Sequence, residues 1–362
     1  MTVGRKIIIA LIIIGGLALL IVSSFFIDYQ KIAQKAQSKE TVQKTPTESL
    51  PAKIIEEKAI KFSAVGDFDI GEKFTQTLST IKKLDTEFTL ALGDLSYGKA
   101  TEQDWCNQVN SSLENKPFEI VPGNHDIEAK SQISKFARCL PNRIKDIVGS
   151  YPDRYYFDQG KTLRTIVISP DVAIDANPNK FKSGSEEYLW LQKTLGDAKE
   201  QKIRWVVVAM HKNCLSIGEK SCEIGQDLND LLIKSPVDLV LQGHEHGYAR
   251  SHQLAFSPTC LTIIPGKINS SSCAIQNKES QYEKGSGSIF AIVGTGGAEA
   301  RPINKSSVAM NLFNTYHGSN TGAVYGALLV EVTNNKLSAK LIENQTGTTK
   351  DSFSILYKDK SP

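Results

Sequence analysis

Net charge is low in this sequence, which has 42 lysines and arginines against 39 aspartates and glutamates, or +3 over 362 residues. No basic stripe with interleaved aromatic side chains stands out, so the composition gives no support for nucleic-acid binding. No internal repeat is present either. The sequence Gly-Ser-Gly-Ser-Ile at residues 285–289 does not match a Gly-x-Ser-x-Gly motif, because its third residue is glycine and its last is isoleucine, so a serine nucleophile of that type is not indicated.

A complete phosphate-binding glycine loop is also missing. Gly294-Thr-Gly-Gly-Ala298 follows a predicted strand, Ser288 to Val293, but it does not complete the P-loop pattern. We predict instead a tight backbone turn in which glycine supplies positive φ.

One long apolar run is present, from Ile7 to Ile27, and it is interrupted only by glycine and serine. At about 1.5 Å per residue, it can span a bilayer core of about 30 Å. Arg5 and Lys6 precede it, it is longer than a usual signal-peptide core, and no clear A-x-A site follows. We therefore predict an uncleaved membrane anchor, residues 1–27. A cleaved signal peptide is the main alternative, and a buried core helix is a weaker one.

The segment 28–60 is rich in Lys, Gln, Glu, Thr and Ser and contains Pro46 and Pro51, so we predict a flexible, solvated stem. A folded domain, 61–357, and a tail, 358–362, follow. Lysines after the apolar run offset Arg5 and Lys6 in the positive-inside count. The short basic start and the even number of cysteines, six, still favour a domain outside the cytoplasm.

Polar residues with metal-binding or proton-transfer chemistry follow a short apolar strand, Phe118 to Val121. Pro122 and Gly123 end that strand, and Asn124, His125 and Asp126 come next. In α/β enzymes the loops at the carboxyl ends of strands carry the chemistry. An amide oxygen can bind a metal, an imidazole can transfer a proton, and a carboxylate can fix the tautomer of that imidazole.

Two other predicted strands end in a glycine followed by an aspartate. Asp67 follows the strand from Lys61 to Gly66, and Asp94 follows the strand from Phe88 to Leu92, with Tyr97 three residues further on. Each aspartate can be a metal ligand or an ordinary turn residue. Tyr97 can reach the same centre, or can be a buried tyrosine that forms a hydrogen bond.

Four of the six histidines follow apolar strands, which is not the scatter that chance would produce. Besides His125, these are His211, after the strand 204–210, and the pair His244 and His246, after the strand 237–242. Two histidines two residues apart on a strand-end loop are typical of a chelating pair. His252 and His317 lack this context, and we expect both to be ordinary surface or hydrogen-bonding residues.

The combined ligand set mixes carboxylate, amide, phenol and imidazole, which suits a pair of iron, manganese or zinc ions. Two such ions can generate a hydroxide and neutralise a phosphoryl transition state. The predicted ligands are Asp67, Asp94, Tyr97, Asn124, His211, His244 and His246.

The order of these motifs resembles that of the calcineurin-like metallophosphoesterase superfamily: Asp67, Gly-Asp-x-x-Tyr97, Gly-Asn-His-Asp126, His211 and Gly-His-x-His246. Tyr97 and the run Gly243-His-Glu-His-Gly-Tyr-Ala-Arg250 make the chain similar to the purple acid phosphatase branch. The resemblance covers about Lys61 to Tyr357. It implies an α/β fold, a four-layer α/β/β/α sandwich, with a dinuclear site at the carboxyl ends of the central strands.

The resemblance also implies individual roles. One ion, commonly ferric iron in this branch, would be held by Asp67, Asp94, Tyr97 and His246. The second ion, iron, manganese or zinc, would be held by Asp94, Asn124, His211 and His244. Asp94 would bridge the two, a metal-bound hydroxide would attack phosphorus, and His125 would protonate the leaving oxygen, oriented by Asp126.

One residue departs from the branch pattern: Asp69 stands where a small residue is usual. Its carboxylate would either bind the first ion, alongside or instead of Tyr97, or point to solvent. The expected activity is hydrolysis of small phosphomonoesters. A phosphodiesterase with the same site, and a metal-stabilised binding domain without activity, are the alternatives. The oligomeric state is not predicted.

The six cysteines allow 15 pairings. Nearness in sequence favours Cys214 with Cys222 and Cys260 with Cys273, which leaves Cys106 with Cys139. Buried free thiols are the alternative.

Overall fold

The computed structural model describes residues 58–358, apart from 129–130, 173, 175–180, 268, 270 and 278. The predicted anchor (1–27) and all but the last residues of the predicted stem (28–60) lie outside the described residues. Within the described part of the chain, no helix is both long enough and apolar enough to cross a membrane.

The described strands and helices alternate in the first two-thirds of the domain, and strands predominate towards its end. The strands are β1 Ile60–Val65, β2 Phe88–Ala91, β3 Phe118–Ile120, β4 Ile127–Glu128, β5 Ser131–Gln132, β6 Val148–Ser150, β7 Arg154–Gln159, β8 Leu163–Val167, β9 Trp205–Ala209, β10 Leu239–Gln242, β11 Tyr248–Leu254, β12 Ala274–Ile275, β13 Gln281–Glu283, β14 Ser288–Val293, β15 Phe313–His317, β16 Gly326–Val332, β17 Lys336–Glu343 and β18 Thr349–Leu356. The helices are α1 Glu72–Leu84, α2 Glu102–Leu113, α3 Ile133–Cys139, α4 Glu186–Glu200 and α5 Gln226–Lys234.

Two mixed sheets form the centre of the fold. The first has the order β13-β18-β17-β16-β1-β2-β3, in which β1, β2 and β3 run parallel and β16, β17 and β18 form an antiparallel meander. The second has the order β12-β11-β14-β10-β9-β8-β7-β6, with β8, β9, β10 and β14 parallel and β15 paired to β11. Parallel strands direct their carboxyl ends to one edge of a sheet, so each sheet brings several strand-end loops together.

Alternate residues of the second sheet enter two different apolar cores, because successive side chains of a strand point to opposite faces. In β9, Val207 packs in the core shared with the first sheet, with α1 and with α2, whereas Val206 and Val208 pack in the core beneath α4 and α5. Strands β10 and β14 divide in the same way. The fold is therefore of the α/β class, with helices packed against two mixed sheets.

Besides the strands named above, the sequence pattern predicts helices at 75–84, 185–199 and 226–235, a strand, turn and strand at 155–169, and strands at 326–332, 336–343 and 352–357. Most of these elements are confirmed within a few residues. The pattern also predicts a loop-rich segment at 127–153, but that segment contains helix α3. Helix α2, which no prediction covered, buries Trp105 against Phe136 of α3, with 5.4 Å between the ring centroids. Trp190, expected in the core, is half-buried. With only seven residues, α3 is too short to be stable alone and depends on this tertiary packing.

Three disulfides join the pairs favoured by the sequence: Cys106–Cys139, Cys214–Cys222 and Cys260–Cys273. The alternative of buried free thiols is therefore wrong. The first disulfide ties α2 to the end of α3, and the second closes a short loop that ends one residue before Glu223. Disulfides of this number are typical of domains that fold outside the reducing cytoplasm.

The pair of Arg250 on β11 and Asp351 on β18 provides a stability prediction, because it ties the second sheet to the first. Arg250 is fully buried, and its Nε lies 2.6 Å from Asp351 Oδ2. Asp351→Ala leaves the guanidinium buried without its counter-ion, so we expect unfolding free energy to fall by about 3–5 kcal/mol in urea titrations. Lys116→Ala, which removes an exposed pair with Asp85, is the control and should leave the midpoint unchanged. Equal midpoints for the two variants would contradict the prediction.

Candidate metal centre

The strand-end loops of both sheets are joined by backbone hydrogen bonds. Asp67 N donates to Gly93 O (2.9 Å), Gly66 N donates to Val293 O (2.9 Å), and Gly243 N donates to His211 O (3.0 Å). The loops after β1, β2, β9, β10 and β14 therefore meet at one edge of the two sheets, as the sequence pattern predicts.

Glycine is required where these loops approach most closely. A Cβ on Gly123 would collide with the backbone nitrogen of Asp94, and one on Gly294 would collide with the carbonyl of Glu245. Gly297 has the positive φ that was predicted for the turn at Gly294–Ala298. The glycines at these positions thus allow the backbones to converge on the site.

Four predicted ligands have a left-handed backbone, which non-glycine residues rarely adopt. The φ angles are 60° for Asp67, 53° for Asp94, 52° for Tyr97 and 72° for His244. Each such residue costs of order 1–3 kcal/mol and persists where its surroundings require it. Their concentration at the strand ends marks this edge as a functional site.

The first group of potential ligands consists of Asp94, His211 and His244, whose ligand atoms lie within 4.8 Å of one another. His211 Nε2 is 3.3 Å from Asp94 Oδ1, and His211 Nδ1 is 2.7 Å from Leu92 O. All three side chains are buried. The Leu92 carbonyl accepts from Nδ1–H and so directs Nε2 of His211 towards the group.

The second group consists of Asp67, Asp94 and His246, again within 4.8 Å, so Asp94 belongs to both groups. Tyr97 joins this group, since its hydroxyl is 3.1 Å from Asp67 Oδ1 and 2.8 Å from His246 Nε2. Burial, together with the charges of Asp67 and Asp94, raises the pKa of the Tyr97 phenol far above its usual range. Only a nearby cation would favour the phenolate form.

Among the predicted ligands, two buried side-chain atoms lack a hydrogen-bond partner within the described ranges: Asn124 Oδ1 and His211 Nε2. Asn124 precedes His125, whose backbone nitrogen donates to Asp94 Oδ1 at 3.0 Å, so the backbone of this turn contacts the shared carboxylate. Buried polar atoms without partners are costly. A cation bound by these atoms removes the cost, and the oxygen and nitrogen donors suit iron, manganese or zinc.

The pKa values of the buried groups shift in opposite directions. Burial raises the pKa of Asp67 to about 7. Burial also acts to raise the pKa of Asp94, but the charge of His211, whose Nε2 is 3.3 Å away, holds this pKa well below its usual range. Asp94 in turn raises the pKa of His211 to about 9, against the effect of burial. Burial lowers the pKa of His244 and of His246 to about 4. Neutral imidazoles beside crowded carboxylates form an environment that a cation stabilises.

His125 and Asp126 lie on the 3₁₀ turn Asn124–Asp126 at the edge of the site. The His125 side chain is 35% exposed, its Nδ1 is 2.8 Å from Glu128 Oε1, and its ring centroid is 4.8 Å from that of Tyr97. Asp126 is fully buried and accepts hydrogen bonds from the backbone nitrogens of Gly123, Asp94 and Leu95 at 2.8–2.9 Å.

The role expected for Asp126 therefore needs correction. Its carboxylate binds the backbone of two strand-end loops and holds them together, whereas the acidic partner of the His125 imidazole is Glu128. The sequence pattern missed Glu128 because that residue meets His125 only through the 3₁₀ turn.

Asp69 belongs to neither ligand group. Its Oδ2 is 2.5 Å from Lys99 Nζ, and its side chain is 21% exposed. The sequence left two alternatives for Asp69, a metal ligand or a residue that points to solvent. The structure shows a third arrangement, an ion pair with Lys99 at the rim of the site. His252 and His317, which were not predicted as ligands, are also outside both groups.

Two further glutamates contact this site and were not predicted. Glu223 Oε1 is 2.8 Å from His244 Nε2, and this hydrogen bond lowers the pKa of Glu223 to about 2. Glu245 stands between the two histidines and is buried, and its Oε1 accepts from Ser216 Oγ at 2.6 Å. The position of Glu245 inside Gly-His-Glu-His was a signal for it, but nothing in the sequence places Glu223 beside His244.

Comparison with known proteins identifies relatives of the chain. The family model described as calcineurin-like phosphoesterase matches residues 65–248, about half of the chain. Purple acid phosphatase 21 of Arabidopsis thaliana is 28% identical over 220 residues, which is 57% of this chain and 46% of that protein. The chain spans about half the length of the curated relatives that it matches.

Solved structures with the same fold include a purple acid phosphatase from yellow lupin, Lupinus luteus (TM-score 0.62, 16% identity, 84% of this chain and 55% of that one). Plasmodium GAP50, described as the anchor in the inner membrane complex, also has this fold (TM-score 0.57, 16% identity, 84% of this chain and 91% of that one). The family match, these likenesses and the strand-end ligand groups lead to one conclusion: the chain belongs to the calcineurin-like phosphoesterase family and is homologous to the purple acid phosphatases.

Proposed function

We propose that this protein is a metal-dependent phosphoric ester hydrolase, an acid phosphatase-like phosphomonoesterase with a dinuclear metal centre. The observation that carries the proposal is the pair of ligand groups that share Asp94. A shared carboxylate is the feature that distinguishes a two-metal site from two separate ones.

Asp67, Asp94, Tyr97 and His246 would hold one ion, and Asp94, Asn124, His211 and His244 the other. Iron paired with iron, manganese or zinc fits this donor set. When bound, such a pair supplies charge neutralisation for a phosphoryl group and a nucleophile at moderate pH.

His125 is the proposed proton donor to the leaving oxygen. Glu128 Oε1 accepts from Nδ1–H of His125, so the proton that His125 can transfer is the one on Nε2. Asp126 holds the loops of Gly123 and Asp94 and so keeps His125 beside the ligand groups.

A cavity of about 380 Å³ beside His246 is the proposed entry for a small phosphorylated substrate. Its lining includes the cations Lys99 and Arg301, the carboxylates Asp69 and Glu299, and Tyr97. Lys99 is paired with Asp69, so Arg301 is the cation at this cavity that we propose to bind the phosphoryl group.

The disulfides support a domain that lies outside the cytoplasm. An N-terminal anchor (1–27) that attaches the domain to a membrane through the stem (28–60) remains part of the proposal. We also propose 61–357 as the limits of the domain and 358–362 as a tail.

Metal removal tests the proposed function. The full-length chain, purified in mild detergent, should hydrolyse an aryl phosphate such as p-nitrophenyl phosphate faster than the corresponding diester. Treatment with a chelator should lower turnover by more than about 100-fold, since a bound metal contributes several kcal/mol of transition-state stabilisation. Addition of Fe²⁺, Mn²⁺ or Zn²⁺ should restore it.

Other outcomes identify the alternatives. Faster hydrolysis of the diester would establish the phosphodiesterase. Bound metal without activity on either ester would establish the non-catalytic binding domain and would contradict the proposed function.

A further inference from the structure

Glu223 connects a metal-ligand candidate to a charged network that the proposed reaction does not use. Its Oε1 lies 2.8 Å from His244 Nε2, and its Oε2 lies 2.7 Å from Lys212 Nζ. Lys212 Nζ is also 2.7 Å from Asp171 Oδ2. The two oxygens of the Glu223 carboxylate therefore have different partners: Oε1 contacts His244, and Oε2 contacts Lys212, whose side chain is 11% exposed.

The backbone of Glu223 is held by the loop that the Cys214–Cys222 disulfide closes. Glu223 directly follows Cys222, and its nitrogen donates to Asn213 O, one residue before Cys214, at 3.0 Å. The disulfide and this hydrogen bond close the loop at the same point. Glu223 therefore has little freedom to move away from His244.

The same loop also binds the segment between the two histidines. Glu245 Oε1 accepts from Ser216 Oγ (2.6 Å) and from the backbone nitrogen of Lys220. Gly218 lies so close to the Glu245 carboxylate that a Cβ there would collide with it. The loop thus makes two contacts with the Gly-His-Glu-His segment through acidic side chains. Glu223, at the end of the loop, contacts His244, and Glu245, in the histidine segment, contacts the loop.

From this geometry we propose that Glu223 is a positioning residue for His244, held in place by the disulfide-closed loop 214–222. The Glu223 carboxylate accepts from Nε2–H of His244 and so leaves Nδ1 as the nitrogen with a free lone pair. The inference rests on the metal centre of the proposed function and adds the residue that sets the tautomer and ring orientation of one ligand. Mutation of a hydrogen-bond partner of a metal ligand typically lowers the metal affinity by about 10–100-fold.

Zn²⁺ binding by the full-length chain tests this role without reference to activity. Chelator-stripped protein is titrated with Zn²⁺ in competition with a chromophoric chelator, for wild type, Glu223→Ala, Glu223→Gln and Glu219→Gln. Glu219 is the matched control, because it lies in the same loop, is 56% exposed and only reaches Arg301 at 3.8 Å.

We expect Glu223→Ala to weaken one of two Zn²⁺ sites by about 10–100-fold. Glu223→Gln should fall between alanine and wild type, since its amide oxygen still accepts from Nε2–H but carries no charge. Glu219→Gln should match wild type. Thermal unfolding of the metal-free proteins shows whether a substitution destabilises the fold in general. If Glu223 positions His244, Glu223→Gln should bind Zn²⁺ more weakly even where its unfolding temperature without metal equals that of wild type.

Two failures are distinguishable. Wild-type protein that binds two Zn²⁺ while Glu223→Ala binds both with the same affinity would overturn the inference and leave the proposed function intact. Wild-type protein that binds no Zn²⁺, Mn²⁺ or Fe²⁺ would overturn both.

Discussion

Replacement of His125 by alanine is expected to lower kcat by about 10²–10⁴-fold, the usual contribution of a positioned general acid, and to leave metal content unchanged. The imidazole lies at the edge of the site, 35% exposed, and belongs to neither ligand group, so its loss removes a proton donor and no ligand. Turnover of p-nitrophenyl phosphate and elemental analysis of the same preparation measure the two quantities together.

His252→Ala is the control, since this histidine is on β11 and contacts Asn314 rather than the ligand groups. It should keep wild-type turnover. Full activity in His125→Ala would remove this residue from the mechanism, and loss of metal in that variant would assign it a ligand role instead. Glu128→Gln should have a smaller effect than His125→Ala, because the amide oxygen still accepts from Nδ1–H.

Asp94→Asn is expected to have the largest effect of any single substitution at the site. Asp94 is the only residue common to both ligand groups of the described chain, and its buried carboxylate lies 3.3 Å from His211 Nε2. We expect loss of at least one of two bound ions and a fall in turnover of about 10³-fold or more, equivalent to several kcal/mol. Elemental analysis and the aryl phosphate assay measure these effects.

The matched control is Asp69→Asn, which neutralises a carboxylate of the same neighbourhood that pairs with Lys99. It should keep both ions. If Asp69→Asn loses metal as readily as Asp94→Asn, Asp69 is a ligand and the assignment of the groups is wrong. If Asp94→Asn binds two ions with unchanged affinity, the centre has no bridging carboxylate.

The convergence of the candidate ligands was predictable because they follow apolar strands, most of them after a glycine, and parallel strands end at a common edge. Asp67, Asp94, His211, His244 and His246 converge for that reason. The pattern also predicted β14 and β16 at their observed bounds. In these cases the local signal and the tertiary structure agree, since a buried strand needs a continuous apolar run.

The helices α2 and α3 and the acidic partners were not predictable in this way. Helix α3 has only seven residues and depends on Trp105 and on the disulfide to Cys106. Asp126 was expected beside the His125 imidazole because it is adjacent in sequence, but its carboxylate turns inward to three backbone amides. Neighbours in sequence on a 3₁₀ turn point in different directions, and a pattern of residue types does not specify which.

By itself, the sequence determined the buried strands of the two sheets, the residues that stand at their ends, and the apolar run at the N-terminus. Only the tertiary structure decided where α2 and α3 form, that Glu128 rather than Asp126 meets His125, and that Glu223 reaches His244. The physical reason is that strand periodicity is a local property, whereas these contacts join loops that follow separate elements. The directions of those loops are set by packing, by the close backbone approach that glycine allows, and by disulfides.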